Sequence, residues 1–346
     1  MLRPTIKLVF GLFFMLSNIW AGVLDYAKPK LSDYDFFEDP ISLHIPVESI
    51  FPYRISTSLF TDYAFKSRFI VLPNDEKIKY LNSEMFDFPV GTVFIKTFYY
   101  PSDFRTPDIN WQIIETRLLI QTPEGWTGYP YIWNKEQTDA ILEIAGDRQE
   151  VSWIDKSGSS QSVNYLIPNF NMCKGCHVIN NVFQPIGPKP RLLNCENKYD
   201  GLRKNQLRKM IEMDMVVDLP PVADVQVTAE WNNPNYPLDD RARAYLDVNC
   251  AHCHNKYGPA KTSGLFLNYH ENDLTKLGVF KPPVAAGRGS GGLQYNIVPG
   301  KPNKSIFIFR MESNDPGVLM PESGRKMVHK EGVELIREWI KELDVN

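Results

Sequence analysis

The sequence predicts an α+β protein, with an antiparallel β-rich domain toward the N-terminus followed by an all-α domain toward the C-terminus. Three observations lead to this prediction. Short runs that alternate between apolar and polar residues, separated by turn residues, occupy residues 58–170. Runs with helical periodicity dominate from residue 238 onward. The pattern C-x-x-C-H occurs once in each part, at residues 173–177 and 250–254.

The β-rich part contains five predicted strands. β-Branched and aromatic residues in alternation predict strands at residues 92–98, 111–121, 126–133, 150–154 and 162–167. Turn residues at 123–125 and at 156–159 join two pairs of these strands into hairpins. Residues 136–144 are the one segment of this region that we predict to be helical.

Helices follow the first C-x-x-C-H pattern. Residues 205–216 predict one amphipathic helix, which ends before the prolines at 220 and 221. In the last third, Asp239 or Asp240 caps a predicted helix that leads into the second pattern, and further helices are predicted at 305–311 and 332–343. The predicted organisation is a signal peptide (1–21), an irregular lead-in (22–57), a β-rich domain (58–219), a linker (220–237) and a helical domain (238–346).

The first residues predict export. Arg3 and Lys7 precede an apolar stretch at 8–20, and Ala21 offers a small residue for cleavage. The stretch is shorter than the roughly 20 residues of a bilayer span. No later stretch is long and apolar enough, so we expect no membrane span after cleavage. With 38 Lys+Arg against 41 Asp+Glu, the charge predicts no nucleic-acid binding.

Each C-x-x-C-H pattern is the attachment signature of a c-type haem. Two thiols three positions apart can form thioethers to the two vinyl groups of one porphyrin, and the histidine that follows becomes the proximal ligand of the iron. We therefore expect two covalent haem c groups. The first would use Cys173, Cys176 and His177, and the second Cys250, Cys253 and His254. Haem c is attached outside the cytoplasm in bacteria, so the expected compartment is the periplasm or an equivalent extracytoplasmic space.

Three other interpretations of the cysteines compete. Pairs that share one zinc ion usually lie some 15 to 20 residues apart, whereas these start at 173 and 250. A thioredoxin-like site needs a βαβ context that the pattern does not predict. Disulfides within each pair leave the two histidines unexplained. Cys195 is the odd cysteine, either a buried apolar thiol or a reactive one.

Residues 238–346 resemble a single-haem class I cytochrome c domain. The resemblance lies in the helix before the second pattern, the pattern itself, the step Leu319-Met320-Pro321 and the terminal helix. It implies that Met320 is the sixth ligand of the second iron, and a thioether ligand raises the reduction potential. Arg288 is a candidate partner for a haem propionate, with a solvated loop arginine as the alternative.

The remaining resemblances concern the first haem and the whole chain. The run at 88–93, a later Trp-rich strand and the first C-x-x-C-H resemble β-sheet cytochromes of the c-prime-beta kind, which implies a five-coordinate haem that binds small gases. Residues 58–346 resemble an uncharacterised family of exported bacterial dihaem c-type cytochromes, through the runs at 87–92, 131–134, 173–177 with 185–189, and 249–254. That family implies a domain plan and a compartment but no reaction.

The sixth ligand of the first iron is not identified. His44, His270 and His329 are distant candidates, and Met172, Met210, Met213 and Met215 are nearer in sequence. Met210 is our first choice, and a five-coordinate iron is the alternative.

The predicted function is electron transfer by two haems, with a redox protein or a dehydrogenase as partner. The alternative is a haem enzyme or gas-binding protein with an open first iron, peroxidase-like or nitric-oxide binding, which the second haem would supply with electrons. Whether the chain is an enzyme is therefore left open.

Overall fold

The computed structural model describes residues 26–81 and 84–344. The predicted signal peptide at 1–21 lies outside these residues. Within them the chain is mostly β, with one antiparallel sheet of six strands and four sheets of two strands. No helix in these ranges is long and apolar enough to cross a membrane.

The strands, in chain order, are β1 (Phe51–Pro52), β2 (Phe65–Val71), β3 (Ile78–Lys79), β4 (Val93–Pro101), β5 (Trp111–Thr122), β6 (Gly125–Trp133), β7 (Ala140–Leu142), β8 (Asp147–Ile154), β9 (Ser160–Ile167), β10 (Val178–Ile179), β11 (Val182–Phe183), β12 (Glu196–Tyr199), β13 (Leu202–Asn205) and β14 (Val216–Val217). The α-helices are α1 (Phe170–His177), α2 (Pro190–Leu193), α3 (Gln206–Glu212), α4 (Leu238–Asn249), α5 (Leu274–Leu277), α6 (Ile306–Met311) and α7 (Lys330–Glu342).

The six-stranded sheet has the order β1-β2-β4-β5-β6-β7. Side chains alternate between its two faces because successive residues of a strand point in opposite directions. On one face, Phe69, Ile95 and Leu118 are neighbours in register on β2, β4 and β5 and are almost fully buried. Leu31 and Phe37, which precede the first strand, pack against this face. The segment before β1 therefore completes the core on this side.

The opposite face of the sheet is covered at one end by the β8–β9 hairpin. The rings of Trp153 and Tyr165 lie 5.0 and 6.1 Å from the ring of Tyr100 on β4, measured between centroids. The hairpin, with Val151 and Val163 also buried, forms a separate apolar cluster with this end of the sheet. Helix α1 begins directly after the hairpin, so the hairpin fixes where the first C-x-x-C-H pattern enters the fold.

The prediction of an α+β protein with an all-α C-terminal domain is wrong. The chain is mostly β, and the α-helices after residue 237 have only 12, 4, 6 and 13 residues. Between them the backbone forms 3-10 turns, irregular segments and two isolated parallel bridges, Val279 to Ile297 and Tyr295 to Ser305. Two prolines at 282–283 and four glycines between 287 and 292 interrupt helix formation there.

The prediction of a helix at residues 136–144 is also wrong, because this segment contains strand β7. The Asn134 side chain donates to Thr138 Oγ1 at 2.8 Å and accepts from the Thr138 backbone N–H at 2.9 Å. These local bonds close a turn that returns the chain antiparallel to β6, pairing Ala140 with Trp133. Side-chain to backbone bonds of this kind compete with helix formation.

Helices α4 and α7 form the apolar core of the C-terminal part. Tyr245 and Leu246 of α4 pack with Ile336 and Trp339 of α7. The indole Nε1–H of Trp339 donates to Asp239 Oδ1 at 2.7 Å, which fixes the start of α4 against the end of α7. The predicted amphipathic helix at 332–343 has its apolar face here.

Polar contacts join the β-rich part to the C-terminal part. Asp62 Oδ1 accepts from the backbone N–H groups of Lys326 and Met327, both at 2.7 Å. The backbone N–H of Phe60 donates to Asn249 Oδ1 at 2.8 Å. Both contacts lie near residues 319–327 or the second C-x-x-C-H pattern, so the two parts are joined where the predicted second haem ligands lie.

His44 gives the fold a testable pH dependence. It is 7% exposed and packs against Phe37, Phe69 and Trp133, with centroids 4.9, 6.5 and 5.5 Å away. Burial lowers the pKa of His44 to about 4, against a smaller opposing effect from the Ser42 backbone. His44 therefore becomes protonated near pH 6.5 in the unfolded chain, but only near pH 4 in the folded chain.

We predict that His44→Phe reduces the loss of stability between pH 6.5 and pH 4. The contribution of His44 amounts to about 1.4 kcal/mol of unfolding free energy per pH unit at most. Chemical denaturation at several pH values measures it. His270→Gln, which changes a half-exposed histidine, is the control and should behave as the natural chain. A constant difference between His44→Phe and the natural chain at every pH would contradict the prediction.

Candidate haem sites

The first C-x-x-C-H pattern lies on helix α1. Asn169 caps this helix, since its side chain accepts from the Met172 backbone N–H at 2.9 Å. Cys173, Cys176 and His177 occupy positions i, i+3 and i+4, which share one helical face. The helix therefore presents two thiols and one imidazole together, which is the donor set that a covalent haem requires.

The ring of His177 has a fixed orientation. Its Nδ1 lies 2.9 Å from the Gln184 carbonyl oxygen. Because a carbonyl can only accept, Nδ1 carries the proton and Nε2 has a free lone pair. Phe183 stacks on the ring with centroids 5.3 Å apart. Burial lowers the pKa of His177 to about 4, so the ring is neutral at pH 7, as a metal ligand must be.

The second C-x-x-C-H pattern follows helix α4. The backbone N–H groups of Cys253 and His254 both donate to the Cys250 carbonyl, at 3.1 and 2.9 Å. The Ser263 hydroxyl donates to Ala260 O at 2.7 Å, which leaves Oγ to accept from His254 Nδ1 at 3.2 Å. His254 thus also has Nε2 free, and burial lowers its pKa to about 4. Both proximal histidines are oriented by an acceptor at Nδ1.

A cavity of about 650 Å³ lies beside the second pattern. Cys250, Cys253 and His254 line one part of it, and Met320 lines another. The remaining wall is largely apolar and includes Leu265, Leu267, Ile306, Phe307 and Met311. Cofactor sites commonly have this size and lining. An imidazole and a thioether on the same apolar cavity, with two thiols beside them, fit a haem with histidine and methionine ligands.

Arg325 holds the segment that carries Met320. Its guanidinium is 7% exposed and donates to the backbone carbonyl of Met320 from both Nε and Nη2, at 3.1 and 2.8 Å. Nη2 also lies within hydrogen-bond distance of the carbonyls of Arg310, Met311 and Ser313, and Nη1 donates to the carbonyl of Met327 at 3.1 Å. The backbone N–H of Met320 in turn donates to Arg310 O at 3.1 Å. One arginine therefore fixes the loop from residue 313 to 327.

The two C-x-x-C-H patterns are in contact. Cys253 Sγ lies 3.8 Å from the Gly175 carbonyl oxygen, and Cys176 Sγ lies 3.9 Å from Ser323 Oγ. The proximity of Cys253 and His252 lowers the pKa of the Cys176 thiol below its usual range. Gly175 and Cys176 also line the cavity beside the second pattern. The end of the first attachment helix therefore forms part of the wall of the second site.

The other candidates from the sequence lie in different surroundings. Arg288 pairs with Asp315 at 2.9 Å, has a side chain 69% exposed, and is not part of the cavity wall, whereas Arg310 and Arg325 are. Its role toward a propionate stays a prediction. Cys195 is half-buried and accepts from Gln206 Nε2 at 3.1 Å. Burial raises the pKa of this thiol to about 11, which favours the unreactive thiol over the thiolate.

The candidate ligands of the first iron are engaged elsewhere. His44 lies in an aromatic core and Met210 is fully buried beside Leu207. His270 lies 3.7 Å from Glu84 Oε1. His329 lines the cavity of the second pattern instead, with Nδ1 3.0 Å from the Tyr245 hydroxyl. None of these four side chains therefore lies where it could act as the second protein ligand of an iron bound to His177.

Within residues 26–81 and 84–344, no group of three or more His, Cys, Asp or Glu side chains is arranged to hold a bare metal ion. A haem iron takes four ligands from the porphyrin and needs only one or two from the protein. The arrangement around each C-x-x-C-H pattern therefore meets the requirement of haem without such a group.

We predict that Arg325→Gln loosens the Met320 segment. Several buried carbonyl acceptors would lose a charged donor, which should lower the free energy of unfolding by about 2–3 kcal/mol. Hydrogen exchange of residues 313–327 should become faster. Arg288→Gln is the matched control, since its exposed ion pair should contribute about 1 kcal/mol or less. Equal effects of the two substitutions would contradict the role given to Arg325.

The chain matches no protein-family model, no curated protein and no solved structure at a significant level. What can be said of its function therefore comes from its own residues and their geometry.

Proposed function

We propose that this chain is a dihaem c-type cytochrome of the periplasm or an equivalent extracytoplasmic space, and that it transfers electrons. When bound, each haem supplies a one-electron ferric–ferrous couple. The observation that carries the proposal is the contact between the two C-x-x-C-H patterns, beside one apolar cavity that His254 and Met320 share.

The residues of the second site have separable roles in this proposal. Cys250 and Cys253 would bind the porphyrin covalently, and His254 would ligate the iron through Nε2. Met320, held by Arg325, would close the sixth position. The largely apolar wall favours the less charged ferrous state, as does a thioether ligand. A closed iron favours electron transfer over chemistry at the metal.

The first site has a different character. Cys173 and Cys176 would attach its porphyrin and His177 would ligate its iron, but the three candidate histidines and Met210, the first choice, are engaged elsewhere. This observation favours a second candidate function, in which the first iron is open and binds a small molecule such as peroxide or nitric oxide. The second haem would then deliver or remove electrons through the contact of Cys176 with Cys253.

Electron transfer requires a donor and an acceptor. We propose a redox protein or a dehydrogenase as the partner of this chain. The contact between the two patterns supports transfer within the chain, from one haem to the other. A partner then needs to approach only one of the two haems.

We predict two haems per chain. Pyridine haemochrome analysis of the exported protein should give two, and the paired variants Cys173→Ser/Cys176→Ser and Cys250→Ser/Cys253→Ser should each give one. Cys195→Ser is the control and should keep both, because Cys195 lies outside the patterns. Two haems in either paired variant, or none in the natural chain, would disprove the assignment of the attachment sites.

We predict that Met320→Ala opens the second iron to carbon monoxide. The amount of reduced haem that binds the gas should increase by about half of the total haem, because one of the two irons loses its sixth ligand. Met311→Ala, which alters another methionine of the same cavity wall, is the matched control and should leave that amount unchanged. No rise with Met320→Ala would exclude Met320 as the ligand.

The same spectra separate the two candidate functions. If the natural chain shows no spectral change with carbon monoxide, both irons are closed and the carrier function stands. If about half of its haem binds the gas before Met320 is changed, the first iron is open. Peroxide and nitric oxide are then the ligands to test.

A further inference from the structure

A row of cations crosses the six-stranded sheet beside the first C-x-x-C-H pattern. Arg68 on β2 pairs in register with Lys96 on β4, and Lys96 pairs with Arg117 on β5. Residues in register on neighbouring antiparallel strands project from the same face of the sheet. Lys66, two positions before Arg68, projects from that face as well. We call these four residues the cationic row.

The cationic row has more positive charge than its surroundings neutralise. Arg117 is matched by Glu115, with Nε to Oε2 at 2.7 Å and Nη2 to Oε1 at 2.5 Å. Among the described residues, Lys66, Arg68 and Lys96 have no carboxylate oxygen within 4.0 Å of their charged nitrogens. Like charges directly opposite each other on adjacent strands destabilise a sheet. A compensating anion would relieve this repulsion, in addition to the cation–π contacts that Lys96 and Arg117 make with the ring of Phe98.

Arg68 shows the lack of a partner most clearly. It is 7% exposed, and its Nη2 has no hydrogen-bond partner in the structure. A buried guanidinium is normally paired, because an unsatisfied charged donor costs several kcal/mol. Arg68 is directly in register with Lys96 on β4, and Lys66 lies two positions before it on β2. The unpartnered donor thus belongs to the row.

The row lies next to the first candidate haem. Leu119 lies two positions after Arg117 on β5, so its side chain is on the same face of the sheet as the cationic row. Leu119 pairs with Gly128 of β6. A side chain at Gly128 would come within 3.5 Å of the ring of Phe183, which stacks on His177. The β10–β11 hairpin, which carries Phe183, therefore lies on the same face of the sheet as the cationic row.

We propose that the cationic row binds a carboxylate or another oxyanion beside the first C-x-x-C-H pattern. Arg68 and Arg117 offer planar guanidinium forks, and the two lysines offer point charges, which together suit such a group. The anion could belong to the propionate groups of the first haem, and this alternative rests on the proposed function. It could instead be a small free oxyanion, which would bind to the side chains of the sheet without any haem.

Neutral lysines are the competing explanation. Burial, with Arg68 and Arg117 nearby, lowers the pKa of Lys66 to about 7, and burial lowers the pKa of Lys96 further below its usual range. If the lysines are simply neutral in the folded protein, the row has no need of an anion and should bind none.

The test is calorimetric titration with sodium sulfate and with sodium acetate at pH 7 and constant ionic strength. It uses the two-haem protein and the Cys173→Ser/Cys176→Ser variant. Binding to both forms identifies a free oxyanion as the ligand. Binding to the variant alone identifies the propionates of the first haem, and Lys96→Met should then lower the reduction potential of one haem, because a cation beside a propionate is lost. Either result supports the row as an anion site.

Matched substitutions decide whether the row is the site. Lys96→Met should weaken anion binding at least tenfold, and Lys66→Met serves as the second variant if Lys96→Met does not fold. Lys135→Met, which removes an exposed lysine in the turn after β6, should leave binding unchanged. The proposal is overturned if neither form binds either anion while Lys96→Met leaves both potentials unchanged, or if Lys135→Met weakens binding as much as Lys96→Met.

A haem count on the same samples separates this proposal from the proposed function. If no haem is attached but sulfate still binds in a Lys96-dependent way, the anion site stands and the cytochrome function fails. If two haems are attached and the titrations and potentials show no effect, the cytochrome function stands and the anion site fails.

Discussion

The contact between the two C-x-x-C-H patterns is the constraint on which the rest of the proposed site depends. Cys176 and Cys253 are 77 positions apart in the chain, yet Cys253 Sγ lies 3.8 Å from the carbonyl oxygen of Gly175, the residue before Cys176. Keeping them together requires the six-stranded sheet to position helix α1 and requires the C-terminal part to dock on the β-rich part. Asp62 and Asn249 supply buried polar bonds at that junction. The proposed electron exchange between two haems would need this proximity, so the fold and the proposed function depend on the same contact.

The two sites differ in their electrostatic surroundings. The second lies beside an apolar cavity with a thioether on its wall. The first lies next to the cationic row of the sheet. Apolar burial and a thioether ligand both favour a ferrous iron, and nearby cations do so as well unless an anion neutralises them. The occupant of the row would therefore set the potential difference between the sites and the direction of electron flow within the chain.

The short motifs of the proposed site are visible in the sequence, but the long-range contacts around them are not. The two attachment patterns and the Met320-Pro321 step are short motifs with a chemical reason for their spacing, so they could be read directly. Arg325 gave no such signal, because its role depends on carbonyls from residues 310–327 that only the folded loop brings together. The cationic row was also missed, since its members come from three strands whose register is set by tertiary structure.

The errors in the predicted fold have the same origin. The helix expected at 136–144 is replaced by β7, because pairing with β6 and the Asn134 turn outweigh local propensity. The expected all-α domain is wrong because only α4 and α7 are long, and prolines and glycines break the chain between them. The resemblance to class I cytochromes rested on those two helices and on the short motifs. These features do not determine the structure of the backbone between α4 and α7.

The intact mass of the mature, exported protein tests the central claim most directly. The account predicts a mass that exceeds that of the polypeptide by two haem groups, and it predicts that the excess survives acid denaturation because thioether bonds are covalent. A mass equal to the polypeptide alone would contradict it. So would a mass lower by the hydrogens lost in disulfide formation, which would identify Cys176 and Cys253, or the cysteines within each pattern, as disulfide partners.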